Sequence, residues 1–183
     1  MDKRNDILIK LDNYNPPSLE EQGSKILMLD FVENNKNCFK RENLEGHVTG
    51  SSWIVNKDRS KVCLVHHKKL KCWVQAGGHC DGEYIVRKVA MTELEEETGL
   101  QSATLVEDAI FDLDVHVIPE HKDVPEHIHY DVRFLFEADD TEKPVISHES
   151  NDVKWFTIDE VKALEVDESV MRMLDKTTPF SVN

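Results

Sequence analysis

Three glutamates, Glu93, Glu96 and Glu97, stand together just before Gly99, at the end of a segment from Glu83 to Thr98 whose apolar residues recur at helical spacing. At about 100° per residue, Val86, Val89, Ala90 and Leu94 form one stripe. Glu93 and Glu97 fall within that stripe, Glu96 flanks it and Glu95 points away. The face meant for a core therefore turns into carboxylates towards the helix C-terminus. Mutual repulsion and the negative end of the helix dipole disfavour acids there, by up to about 1 kcal/mol each. A divalent cation resolves the conflict, and glutamate oxygens suit Mg²⁺ or Mn²⁺. An acidic helix end by itself is also a common solvated surface, so the context decides. Gly77-Gly78 lies upstream, after the strand-like Trp73-Val74, and Gly99 closes the helix. A glycine loop lets backbone groups approach a ligand closely. The unit reads as a cradle for a metal and a diphosphate.

A second constellation comes from alternation. Phe111 to Val117 puts Asp112, Asp114 and His116 on one face and Phe111, Leu113, Val115 and Val117 on the other. His127 to Phe134 sets His127, His129, Asp131 and Arg133 against Ile128, Tyr130, Val132 and Phe134. Paired as a hairpin, the two segments would join their polar sides. One reading is the solvent face of a hairpin. The other is a substrate or second-metal surface facing the glutamate helix, where His and Asp suit proton transfer or a transition metal and Arg133 suits phosphate. His79, beside the glycine pair, could join it. Trp53, Trp73 and Phe134 could stack on a base or belong to the core, and His66-His67-Lys68-Lys69 reads as a solvated turn.

The elements that must position these groups are legible in outline. Ser18 with Glu21 is a capping-box signature for a helix reaching about Glu33. Asn34 to Glu45 is a polar connection. Ser52–Val55, Val62–His66 and Val153–Phe156 read as strands, with Asn56–Ser60 as a turn, and Phe111–Ile118 and Ile128–Glu137 as half-buried strands. Ile158–Leu164 and Ser169–Leu174 read as helices. The mixture indicates an α/β or α+β architecture.

With 183 residues the chain can bury a core without disulfides. Its net charge is −14, which repels a nucleic-acid backbone, and duplex nucleic acid is excluded as a partner. The same charge repels a phosphate ester, so an enzyme acting on phosphates needs a cation at its site. No apolar run approaches a membrane span, and the charged stretch from Met1 to Leu11 has no signal-peptide core. Cys38, Cys63, Cys72 and Cys80 form no CxxC pair and read as reduced thiols of a cytoplasmic protein, with zinc on Cys72, Cys80 and His79 as the alternative.

The stretch GHCDGEYIVRKVAMTELEEETGL, Gly78 to Leu100, resembles the Nudix box. That motif is Gly, five residues, Glu, seven residues, Arg-Glu, an aliphatic, any residue, Glu-Glu, any residue, Gly, an aliphatic. Gly78, Glu93, Leu94, Glu96, Glu97, Gly99 and Leu100 match in register. Tyr84 replaces the first Glu, with Glu83 one residue early, and Thr92 replaces the Arg. In the family that Arg orients the glutamate helix through ion pairs; Arg87 on the same helix is the nearest substitute. With the Gly-Gly-His start, GHVTGSSW upstream and HIHYDVRF downstream, residues 45 to 176 look like a bacterial Gly-Gly-His group of Nudix hydrolases.

The resemblance implies a Nudix-type α/β/α sandwich with a mixed sheet over 46–183, preceded by an N-terminal helical arm over 1–45. It implies attack of water on phosphorus in a nucleoside diphosphate linked to another group. Mg²⁺ or Mn²⁺ would be held by Glu93, Glu96, Glu97 and the Gly78 carbonyl, and His79, His127, His129, Asp131 and Arg133 are candidate substrate contacts. Expected partners are a small nucleotide-like diphosphate and, at most, a second copy of the chain in a homodimer. The alternative function is a nucleotide-binding or sensor module on the same scaffold with weakened catalysis.

Overall fold

The computed structural model describes residues 2–121, 124–148 and 150–177. Helix α1 spans Asn5–Asn13 and α2 Leu19–Asn34; strands β1 (Gly46–Val55), β2 (Lys61–His67), β3 (Trp73–Val74) and β4 (Ala76–His79) follow. Then come α3 (Val86–Thr98), β5 (Thr104–Leu105), β6 (Asp112–Ile118), β7 (His127–Glu137), β8 (Ser150–Thr157), α4 (Ile158–Lys162) and α5 (Glu168–Thr177). The strands form one mixed sheet of order β3-β2-β1-β7-β5, with β4 on β1, β6 on β7 and β8 on β2. The architecture is α+β, as the mixed pattern requires.

The chain divides into two compact units. The first holds the residues up to Ser51, Gly78–Ala90 and Asp108–Phe134; the second holds Ser52–Gly77, Met91–Glu107 and the chain from Leu135 on. In the first unit α2 starts where the sequence places it. Ser18 is the extended N-cap, and its hydroxyl accepts the Glu21 amide at 3.2 Å. Glu21 is itself wholly buried, with its carboxylate accepting the Tyr14 hydroxyl. Helix α1 has no sequence signal of comparable strength. It buries only Ile7 and Leu11, one turn apart, and Lys10 ties it to Asp108 at 2.5 Å. The core here also contains Met28, Val32, Leu113 and Val132, and Phe31 stacks on Tyr130 with centroids 4.0 Å apart.

Strand β1 starts at Gly46, six residues before the expected Ser52, and every residue of it is buried. A side chain at Gly46 would put its Cβ 2.5 Å from the Ile128 carbonyl oxygen, so the close approach of β1 to β7 excludes one. Helix α3 starts at Val86 rather than Glu83. Asp81 and Gly82 have positive φ, and the Glu83 carboxylate accepts the amides of Tyr84 and Ile85 at 2.8 and 2.9 Å, which holds these residues in a turn.

In the second unit Trp53 is wholly buried and its indole N–H donates to the Thr177 hydroxyl at 2.6 Å. Trp53 is core, as is Phe134 in the first unit. Trp73 is half-buried and meets His66 and Phe156 edge-on. His66 and His67 lie within β2, paired with β8, and not in a turn; the turn begins after them. Among the described residues no helix is long and apolar enough to cross a membrane.

Candidate functional site

The second unit contains the acidic end of α3. Leu94 is wholly buried, Glu97 is 7% exposed, Glu93 is half-buried, and Glu95 and Glu96 are exposed. This order follows from the helical stripe. Burial of Glu97 is compensated by a specific contact: its Oε2 accepts the backbone amide of Gly77 at 3.0 Å. The amide gives the buried carboxylate a hydrogen-bond donor in place of water. The helix is closed by Gly99, whose φ of +68° suits glycine and whose amide donates to the Glu95 carbonyl at 2.9 Å. Thr92 and Tyr84, the two departures from the box, are exposed. Arg87, the nearest substitute for the missing arginine on the helix, lies in the first unit. Its guanidinium pairs with Asp6 and Asp108, each at 3.4 Å. The donors that Glu93, Glu96 and Glu97 offer are all carboxylate oxygens, whose chemistry fits a hard cation such as Mg²⁺ or Mn²⁺. Gly78, the fourth expected ligand, is half-buried on β4.

In the first unit β6 and β7 do pair, antiparallel, with Asp112 opposite Arg133, Asp114 opposite Asp131 and His116 opposite His129. The joined polar face is not a solvent face: Asp112 is 0%, Asp131 2% and Arg133 2% exposed. Arg133 donates from Nε to Asp131 at 2.8 Å and from Nη1 to Asp112 at 3.0 Å, and Nη2 lies 3.5 Å from Asp114. Burial alone would lower the Arg133 pKa, but the three aspartates raise it. A phosphate could reach this guanidinium only by displacing a carboxylate. Asp131 also accepts the hydroxyls of Thr49 and Ser51 at 2.9 and 2.8 Å. Asp114 continues the network to His116 Nδ1 at 2.8 Å. Burial opposes charging of His116, yet Asp114 and Asp131 together raise its pKa.

Beyond the aspartates the same face becomes histidine. The His47 ring lies 5.0 Å from His79, 5.0 Å from His127 and 4.8 Å from His129, centroid to centroid. His79 and His127 lie 5.1 and 5.2 Å from His129. Burial, reinforced by the neighbouring rings, pushes His129 down to about 2. Burial and then the Arg41 charge push His79 down to about 4. Burial lowers His47 too, and the Asn43 carbonyl pulls the other way from outside hydrogen-bonding geometry. Sequence reasoning missed His47, Thr49 and Ser51. The signal was present as a second period-two stripe, His47-Thr49-Ser51.

All four thiols are free, and burial pushes Cys80 up, Cys63 to about 12 and Cys38 to about 11. The ring neighbours of His79 are other histidines.

Comparison with known proteins places this geometry in context. The NUDIX domain pattern matches residues 47–176. No curated protein sequence matches the chain. Among solved structures, an Ap4A hydrolase from C. elegans aligns with a TM-score of 0.56 at 18% identity, covering 70% of this chain and 93% of that one. A NUDIX-family hydrolase from Clostridium perfringens aligns at 0.51 and 22% identity, covering 72% and 95%. The dihydroneopterin triphosphate pyrophosphohydrolase of E. coli aligns at 0.52 and 15% identity, covering 70% and 92%. At these identities the likeness to the solved structures is one of fold. Since the family pattern runs from His47 at the start of β1 into α5 and takes in the acidic end of α3, this chain belongs to the Nudix family.

Proposed function

We propose that this chain hydrolyses a phosphoanhydride bond in a nucleoside diphosphate linked to another group, with Mg²⁺ or Mn²⁺ held by Glu93, Glu96, Glu97 and the Gly78 carbonyl. The observation that carries the proposal is the Glu97 carboxylate, 7% exposed and anchored on the Gly77 amide at the unfavourable end of its helix. Three acids there repel one another, and a bound cation would relieve that repulsion. When bound, the cation supplies charge neutralisation for the phosphates and a lowered pKa for water. Glu97 fixes the glycine loop against the helix end. Glu93, half-buried on the same stripe, is in this reading the residue that orients and deprotonates the attacking water. Two solved structures of similar fold are an Ap4A hydrolase and a dihydroneopterin triphosphate pyrophosphohydrolase, which supports a phosphoanhydride as the scissile bond.

The test is a turnover screen of purified protein with Mg²⁺ and with Mn²⁺, against dinucleoside polyphosphates, nucleotide sugars, nucleotide cofactors and nucleoside triphosphates. Release of nucleotide or phosphate from one class is the expected result. The exposed Thr92 and Tyr84 at two box positions favour the second reading, a nucleotide-binding module with weakened catalysis. Saturable nucleotide binding without turnover on any class would establish that reading instead.

A further inference from the structure

We propose that His47, His127 and His129 form a binding site for a divalent transition metal of the zinc class, made wholly within the first unit. One ring nitrogen of each histidine lies within 4.8 Å of the other two. Metal–nitrogen bonds of about 2.0–2.1 Å require tetrahedral nitrogens about 3.4 Å apart. Small rotations of the three imidazoles close that gap.

Two independent observations point to a ligand here. First, neither nitrogen of His47, a residue only 3% exposed, has a hydrogen-bond partner, and Nε2 of His129 is buried without one as well. Buried polar atoms in folded proteins are nearly always paired, so nitrogens converging without partners mark a missing electron-pair acceptor. Second, His127 already has the orientation of a metal ligand. Its Nδ1 lies 2.8 Å from the Pro125 carbonyl, which can only accept. Nδ1 therefore carries the proton, and the Nε2 lone pair is left to coordinate. Metal-bound histidines almost always donate their other ring N–H in this way.

The donor chemistry selects the ion. Three neutral imidazoles suit Zn²⁺, Co²⁺, Ni²⁺ or Cu²⁺ and not Mg²⁺, whereas the glutamates of α3 offer only oxygen. Three protein ligands leave a fourth position for water or an anionic ligand, and His79, with its ring 5.0 Å from His47 and 5.1 Å from His129, borders it. This settles on a metal for two residues, His127 and His129, whose face the sequence reads as a substrate or second-metal surface, and adds His47, which the sequence reading missed. The site stands whether or not the glutamates bind Mg²⁺.

The experiment uses the full chain, stripped with a chelator and then titrated with Co²⁺ in excess Mg²⁺, reading the visible ligand-field absorption and the metal retained after gel filtration. One Co²⁺ per chain is expected in the wild type and in Glu97→Gln. Affinity should fall by more than about 100-fold in His127→Ala and in His129→Ala, a larger loss than outer partners of a metal site cause. X-ray absorption of the Zn²⁺-loaded wild type needs no variant and should show imidazole nitrogens in the coordination shell. No retained metal, an oxygen-only shell, or loss of binding in Glu97→Gln with the histidine variants unaffected would each overturn the proposal.

Discussion

Oε2 of Glu97 accepts the backbone amide of Gly77 at 3.0 Å. Gly77 and Glu97 are twenty residues apart in the chain, and this hydrogen bond joins them. It explains how a carboxylate comes to lie under the surface at the negative end of α3. The charge is compensated by an amide on one side, and we propose that a cation compensates it further.

Glu97→Gln keeps an acceptor for Gly77 and removes the charge. The variant should fold with wild-type stability or slightly better, because one of several repelling acids is neutralised. Turnover on the substrate found by the screen should fall by about 100-fold or more, the scale of losing a preorganised electrostatic contact. Mg²⁺ should raise the Tm of the wild type and not of the variant, since only a ligand bound to the folded state stabilises it. Equal Mg²⁺ affinity in the two proteins by calorimetry would remove Glu97 from the metal site.

Gly99→Ala tests the other end of the cradle. A Cβ at this position would sit 2.9 Å from the Val145 Cβ, and the φ of +68° is strained for alanine. Backbone strain and overpacking together should cost about 2 kcal/mol or more. Urea denaturation reads this directly. A loss below about 0.5 kcal/mol, the scatter of surface substitutions, would mean that α3 can end without a left-handed residue.

Arg133→Met probes the buried ion network. The arginine faces Asp112, Asp114 and Asp131, and its removal takes away the guanidinium that pairs with these buried carboxylates. A destabilisation of about 3–5 kcal/mol is expected. Asp131→Asn should cost less, because Asp112 and Asp114 still face the guanidinium. If the two variants lose the same amount, charge balance is not what holds this face.

Much of the architecture around these groups was legible because it rests on local periodicity. Val86, Val89, Ala90 and Leu94 form the buried stripe of α3 that their spacing requires. The pairing of Asp112 with Arg133 and of His116 with His129 follows from two alternating segments meeting in register. What escaped depends on contacts distant in sequence. The first half of β1 reads as polar, and His47, Thr49 and Ser51 are buried because β7 supplies partners about eighty residues on, as the Thr49–Asp131 bond shows. Helix α1 escaped because two apolar residues are a weak signal until Lys10 finds Asp108. Arg87, the nearest substitute for the box arginine along the helix, has ion pairs with Asp6 and Asp108, partners that no local pattern announces.

The histidine cluster makes the stability of the metal-free protein depend on pH in the mildly acidic range. In the fold His79 titrates at about 4 and His129 at about 2, and His47 is lowered as well, all chiefly through burial. Unfolded, each returns to the ordinary value of 6.5. Above that value both states are neutral and the cluster adds no pH dependence. As the pH falls below it, the unfolded chain takes up protons that the folded chain excludes, so stability falls. Each such histidine contributes a slope of about 1.4 kcal/mol per pH unit, which persists for His79 down to about pH 4 and for His129 further still. His116 works the other way: its raised pKa makes it bind protons more readily in the fold, and its contribution is present in acid and lost as the pH rises through that value. Urea denaturation of chelator-treated protein between about pH 5 and pH 6.5, where most carboxylates stay ionised, isolates these terms. Stability should decline steeply towards the acid end in the wild type. In His129→Gln the decline should be shallower by about 1.4 kcal/mol per pH unit. A wild type with no decline over that range would mean that the cluster takes up protons without unfolding.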